Sequence, residues 1–181
     1  MKKIEKLCGS TFEIKTVGKT YASYKTACKC RESDFYILIT NYITILSPIT
    51  CGNCFKPVPL YKLPKYNGYD YIPILSWETN YISCDSLQMN CEVGERWALN
   101  QMQEVTSQLS KQGLEICKKI EELTNVPTYY YLHNYRKVKG NELSKPCPVC
   151  NEKWNLKKQL NNFYDFKCDT CKLVSIISPN A

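Results

Sequence analysis

The chain has 181 residues, 44% hydrophobic and 23% charged, with 24 Lys/Arg against 17 Asp/Glu and a formal charge of +7. That balance excludes a disordered or low-complexity chain and fits one large folded domain or two small ones. Twelve cysteines, one histidine and seven glycines leave little material for phosphate-cradling loops or histidine-based catalysis and point toward thiolate chemistry.

At the start, Met1-Lys2-Lys3-Ile4-Glu5-Lys6 is positive, but no apolar core or cleavage site follows it. The expected location is therefore the reducing cytoplasm, where clustered cysteines bind metal rather than each other. Residues 11–27 alternate at period two around Gly18-Lys19 and predict a hairpin that delivers the chain to Cys28 and Cys30. Residues 35–46, rich in β-branched and aromatic side chains, predict a strand ended by Pro48. Residues 35–55 are long and uncharged enough to suggest a membrane span. Their Thr, Asn, Ser and Pro residues argue against one, and no membrane association is expected.

Cys51-Gly-Asn-Cys54 follows directly. Together with Cys28 and Cys30 it makes C-x-C, 20 residues, C-x-x-C: a turn with two thiols, a strand excursion, then a second such turn. The other reading is buried free thiols beside a coincidental C-x-x-C. Prolines at 57, 59 and 64 exclude regular helix and predict an extended segment packed on the first site, and residues 66–71 predict a turn.

The middle reads as helical. Ile74, Trp77, Tyr81, Cys84 and Gln88 recur at three and four, predicting a helix over 74–90. Gly94 interrupts, and a second apolar stripe runs from Val93 through Trp97, Met102 and Val105 to Leu109. Gly113 is expected to break that pattern before a third short helix through Leu114, Cys117, Ile120 and Leu123, stopped by Asn125 and Pro127. Cys84, Cys91 and Cys117 fall on apolar stripes and read as buried small side chains. Cys8 has no assigned role. Asp85, Glu92 and Glu95 read as helix-start and solvated-face residues.

Residues 128–135 return to β character. They form either an aromatic platform on which bases stack, or a strand whose alternate tyrosines cover the core. Beyond them lie Cys147-Pro-Val-Cys150 and Cys168-Asp-Thr-Cys171, two C-x-x-C pairs 17 residues apart. Each pair sits at a tight turn, and the stretch between them can run out and back as a hairpin. Four thiolates then converge on one tetrahedral ion. Two disulfides or two redox dithiols are the alternatives. Trp154 and Leu156, 163–166 and 173–177 predict the three strands of that ribbon.

The expected fold is α+β: two small antiparallel β zinc ribbons, one at each end, joined by a central helical segment. The corresponding parts are 1–65, 66–125 and 126–181. The expected cofactor is Zn²⁺ in two structural four-cysteine sites (Cys28, Cys30, Cys51, Cys54 and Cys147, Cys150, Cys168, Cys171), although four thiolates also suit iron. Each zinc tetrathiolate carries a net −2, so two sites lower the charge from +7 to about +3. Its distribution is uneven: 11 basic against 4 acidic residues in 1–65, 4 against 9 in 66–125, and 9 against 4 in 126–181.

Several stretches together resemble a known group. They are Ser47-Pro48, Cys51-Gly-Asn-Cys54-Phe55 with Pro57-Val-Pro-Leu-Tyr-Lys-Leu-Pro64, Cys84-Asp-Ser-Leu-Gln88, and Pro127-Thr-Tyr-Tyr-Tyr-Leu132. Cys147-Pro-Val-Cys150 with Trp154 and Cys168-Asp-Thr-Cys171 with Leu173-Val-Ser175 complete the set. Over nearly its whole length the chain resembles an uncharacterised bacterial family described as Zn-ribbon-containing, with a suggested role in nucleic-acid binding. The resemblance implies zinc and says little about activity. One departure is Asn151, where zinc knuckles usually carry glycine; asparagine tolerates the left-handed conformation required there.

Closed four-sulfur sites leave no open coordination position, and no nucleophile elbow or paired carboxylates appear, so no catalysis and no small-molecule substrate are expected. Two functions remain. One is nucleic-acid binding, through Tyr130, Arg136, Lys137, Lys139, Lys157 and Lys158. The other is a protein-interaction module, such as an immunity or antitoxin protein that neutralises a cognate bacterial toxin through the acidic helical face.

Overall fold

The computed structural model describes residues 26–66, 68, 70–135 and 142–179. The expected hairpin up to residue 25, Cys8, Arg136, Lys137 and Lys139 lie outside them.

Within that range the order is β1 (Tyr36–Leu38), β2 (Ile49–Cys51), α1 (Ile72–Asn90), α2 (Glu95–Gln103), α3 (Gln108–Thr124), β3 (Thr128–Tyr131), β4 (Asn155–Leu160), β5 (Tyr164–Cys168) and β6 (Leu173–Ser175). All six strands form one sheet in the order β2-β1-β3-β6-β5-β4. β3 pairs in parallel with β1 on one side and β6 on the other, whereas β1–β2, β6–β5 and β5–β4 are antiparallel.

This corrects the expectation of two separate antiparallel ribbons. Each ribbon alone would leave a flank of β1 or of β6 with unpaired N–H and C=O groups. The single strand β3 pairs with both flanks and fuses the ribbons into one mixed sheet. The three C-terminal strands keep their antiparallel order, with Asn161 and Asn162 at φ 55° and 52° turning β4 into β5.

The strand expected over 35–46 is only three residues long. The Asn41 side chain accepts from the N–H groups of Ile43 and Thr44 (3.1 and 2.9 Å) and turns the chain, so that Ile39 N–H meets the Pro48 carbonyl (2.9 Å).

The helices cover one face of the sheet. α1 carries Pro73 in its first turn and ends at Cys91 in the left-handed conformation, burying Ile74, Trp77, Tyr81 and Cys84. α3 is capped by Ser107, whose hydroxyl accepts from Ser110 N–H (3.0 Å), and closes at Asn125 (φ 56°). Trp77 packs on Tyr81 and Tyr130 with ring centroids 5.2 and 6.0 Å apart. Leu38, Ile49, Tyr130, Phe166 and Leu173 join this core, while Ile37, Tyr129, Tyr131, Tyr164 and Val174 cluster on the opposite face.

Gly113 does not end a helix. It lies inside α3 and is buried against β3. Nor is Asp85 solvated: it is 8% exposed, and its carboxylate accepts from Tyr42 N–H (2.8 Å), tying loop 41–46 to α1. Burial raises its carboxyl above the usual aspartate range, against the Tyr42 hydrogen bond.

Candidate metal centres

Each centre is built from two thiol-bearing turns. In the first, Cys28 and Cys30 lie on the approach to β1, Cys51 ends β2 and Cys54 occupies the turn beyond. Cys51 N–H donates to the Lys56 carbonyl (3.0 Å), and Phe55 N–H donates back to the Cys51 carbonyl (2.8 Å), with Phe55 at φ 54°. In the second centre Cys147 N–H donates to the Glu152 carbonyl (2.9 Å) and Asn151 N–H to the Cys147 carbonyl (3.0 Å), with Asn151 at φ 59°. The two turns repeat one backbone pattern at the same offsets. Lys172, four residues beyond Cys168, has the same left-handed φ of 54°. A Cβ at Gly52 would meet the Phe35 ring at 2.6 Å, so the first turn closes only with glycine there.

These turns gather the sulfurs in two sets, Cys28, Cys30, Cys51, Cys54 and Cys147, Cys150, Cys168, Cys171, each set lying within 4.8 Å. Cys28 and Cys54 Sγ are 3.5 Å apart, and Cys150 and Cys168 Sγ 3.7 Å. Four sulfurs at about 2.3 Å from one ion stand about 3.8 Å from each other along the tetrahedron's edges. A disulfide would require about 2.05 Å, and all eleven described cysteines are unbridged. The donor set and its spacing therefore fit a four-coordinate metal ion at each centre.

Strand register puts both centres at the same end of the sheet. Cys51 faces Tyr36, which faces Thr128; Cys168 faces Leu173, which faces Tyr130. Both thus lie where the parallel strands β1, β3 and β6 begin. Four strand spacings, roughly 19 Å, separate β2 from β5.

Protons are held unevenly among the sulfurs. Burial, with neighbouring thiols, pushes Cys28 up to about 12. For Cys51 burial acts upward, but the Ser33 hydroxyl, the Cys54 and Asn53 N–H groups and Cys28 overcome it and bring the thiol down to about 6. In the second centre the Glu152 backbone lowers Cys150, while burial raises Cys168 and Cys171. A bound cation would replace these protons, which couples its affinity to pH.

The family model described as Domain of unknown function (DUF2310) matches residues 30–133, and that described as Domain of unknown function (DUF8594) matches 136–181. Two relatives from Haemophilus influenzae, each bearing the name Uncharacterized protein, are 38% identical to the chain over 178 residues. That covers 96% of this chain and 86% of one relative, 67% of the other. The chain belongs to the DUF2310 family. No solved structure matches it.

In this family member the first family segment holds Cys30, Cys51 and Cys54 and the second holds all four cysteines of the other centre, so the β3–β6 pairing joins one segment to the other. No helix among the described residues is long and apolar enough to cross a membrane.

Of the residues expected to contact nucleic acid, Tyr130, Lys157 and Lys158 are among the described residues, and these three are not brought together. Tyr130 is fully buried, its ring against Trp77 and Gly113, so no base can stack on it. It belongs to the core because successive side chains on β3 alternate faces and position 130 points toward the helices. Lys157 and Lys158 are exposed on β4, the strand at one edge of the sheet and three places from β3. Cys84 and Cys117 are buried as expected, whereas Cys91 is exposed because it occupies the left-handed position ending α1.

The sequence reading overlooked a basic–aromatic cluster beside the second centre. Lys167 Nζ lies 4.6 Å from the Tyr129 ring centroid and 5.5 Å from that of Phe35, and Lys172 Nζ is 5.5 Å from Tyr129. Asp169 Oδ1 accepts from both the Tyr129 hydroxyl and Lys167 (2.5 Å each), which holds its carboxyl below the usual range. The available signal was the pair of lysines flanking Cys168 and Cys171, which a charge tally alone does not place over rings.

Proposed function

We propose that the chain is a non-catalytic zinc protein of the cytoplasm, in which two structural Zn²⁺ centres brace a nucleic-acid-binding surface. The observation that carries this reading is the gathering of eight sulfurs into two closed four-thiol sets. Soft thiolates select zinc or iron, and a set with no oxygen, water or imidazole position suits an ion that holds shape. The basic side chains available for phosphates are Lys29, Arg31 and Lys56, close in sequence to the first centre's cysteines, Lys153, close to Cys150, and Lys157 and Lys158 further along β4, all exposed.

The test is a titration of the purified chain against mixed-sequence RNA and DNA at low salt, with elemental analysis of the same sample. Zinc and salt-sensitive binding support the reading. No binding below about 100 µM overturns it, because even non-specific affinities reach 10⁻⁴–10⁻⁶ M.

A second reading, binding to a partner protein such as a toxin, is favoured by a different observation. Loop 41–46 exposes Ile43 (74%) and Ile45 (83%) beside Tyr42, whose N–H is anchored on Asp85. Apolar side chains held out on a fixed loop suit a protein surface better than a phosphate backbone. A stable partner recovered by wild type but not by Ile43→Ser/Ile45→Ser would select this reading.

A further inference from the structure

Exposed apolar side chains gather where the chain between β1 and β2 meets α1. Loop 41–46 carries Tyr42, Ile43, Ile45 and Leu46 outward. Its shape is set before any partner arrives: the Asn41 and Thr44 side chains accept from backbone N–H groups within the loop, and Asp85 holds Tyr42. α1 continues the patch. Glu78, Ile82, Asp85 and Met89 recur at i, i+4, i+7 and i+11, so the flank of the helix that anchors the loop also bears Ile82 and Met89, with Leu75 one turn earlier. Leu75 and Met89 are exposed and Ile82 is half-buried.

Charge is nearly absent from this surface. Residues 35–55 contain no charged side chain, and α1 has no lysine or arginine and only two carboxylates. Asp85 is buried beneath the loop. Glu78 is half-buried, and burial raises its carboxyl above the usual range. The chain as a whole is basic, +7 in sequence and about +3 with two zinc tetrathiolates. Two copies therefore repel one another in general and approach here with the least repulsion. An apolar patch is also complementary to its own image about a twofold axis.

We infer that loop 41–46 and the adjoining flank of α1 form the docking surface for a second copy of the chain, Ile43 and Ile45 of each copy packing on Ile82 and Met89 of the other. Only the premise that this loop docks a protein is shared with the second reading above, and the nucleic-acid reading plays no part. Size sets the strength of the contact. From Leu75 to Met89 α1 runs about 21 Å at 1.5 Å per residue, and a helix about 10 Å wide with a loop beside it makes a patch on the order of 400 Å². A standard interface takes about 800 Å² from each partner, so the dimer is weak, with half-association on the order of 10–100 µM.

The experiment is sedimentation equilibrium of the full, metal-loaded chain from about 5 to about 500 µM, a range that brackets this affinity, at low and at high salt. The expected result is an average mass that rises with concentration from 21.0 kDa toward twice that value. Association persists or tightens at high salt, where repulsion between basic copies is screened. It is several-fold weaker in Ile43→Ser/Ile45→Ser and in Met89→Glu, whose altered side chains are exposed and leave the far-ultraviolet dichroism unchanged.

A mass that stays at 21.0 kDa throughout overturns the inference. Association indifferent to Ile43→Ser/Ile45→Ser overturns it too, because the contact would then lie elsewhere, as on the free edge of β4. So does association that survives Met89→Glu, which would remove α1 from the surface, or a dimer that dissociates at high salt, which would make charge pairing its source. A chain that stays monomeric yet recovers a foreign protein through Ile43 and Ile45 keeps the second reading and removes this inference. A dimer that recovers no foreign protein upholds this inference and removes that partner.

Discussion

A Cβ built on Gly113 falls 2.3 Å from Cε2 of Tyr130 and 3.0 Å from Nε1 of Trp77, so α3 meets the central strand with no room for a methyl group. Neither ring can easily retreat: Tyr130 is fully buried, and Trp77, packed edge-to-face on it, is held by its indole N–H donating to the Leu109 carbonyl (3.2 Å). Gly113→Ala gains about 1 kcal/mol of helix propensity. It loses more through overpacking, which costs about 1–3 kcal/mol in cores able to adjust and more against backbone-held rings. The expected outcome is net destabilisation of about 1–2 kcal/mol and a melting temperature lower by several degrees for a chain of this size. A variant as stable as the parent in urea would show that α3 can lift off β3.

The metal centres should not behave as separable appendages. β6 begins beside Cys171 and lies between β5 and β3, so the second centre fastens the middle of the sheet rather than a dispensable hairpin. Cys171→Ser is expected to lower the bound metal from two equivalents per chain to one and to destabilise the whole sheet in a single transition. Elemental analysis and a denaturant curve read by far-ultraviolet dichroism check both points. A curve resolving an intact N-terminal half beside an unfolded C-terminal half would contradict the shared-sheet architecture.

What the sequence could and could not convey follows from the range of each interaction. The thiol pairs, the Ile74–Trp77–Tyr81–Cys84 stripe and the Asn125–Pro127 stop are local patterns, and each is found where its spacing places it. The join between the ribbons was not legible, because β1 and β3 are separated by three helices and their parallel pairing leaves no turn signature between them. Gly113 misled for a related reason. In isolation glycine marks a weak point in a helix, and only the ring of Tyr130, on a strand formed later in the chain, shows it to be a packing requirement. Phe55 conceals a left-handed turn position that glycine or asparagine would have announced.

His133 offers a pH-dependent measurement. Its folded pKa, about 4, lies below the ordinary value of 6.5 because burial disfavours the imidazolium. A depressed folded value means that the unfolded chain takes up the proton first. The stabilisation is therefore complete above pH 6.5 and is lost as the pH falls toward 4. The ring resonances should remain on the neutral plateau down to pH 5, and the stability advantage of the parent over His133→Gln should be smaller at pH 5 than at pH 7.5. Thiolate protonation acts on both proteins and largely cancels in that difference. A ring titrating near 6.5 would mean that the imidazole is solvated.

Lys157 and Lys158 sit side by side on edge strand β4, where exposed lysines also discourage pairing with another sheet. That protective role and phosphate binding predict different outcomes for Lys157→Gln/Lys158→Gln. If the lysines meet phosphates, affinity for a single-stranded oligonucleotide falls at low salt. The slope of log K against log salt also becomes shallower by about 0.7 for each phosphate no longer neutralised, while monomer solubility is unchanged. If they only guard the edge, the slope is unaltered and the variant self-associates as concentration rises. The first outcome is expected, because adjacent residues on a strand point to opposite faces, so two exposed lysines there present charge on both sides of a free edge, where a flexible strand can reach either. Binding isotherms at three salt concentrations, with sedimentation of the same samples, separate the two.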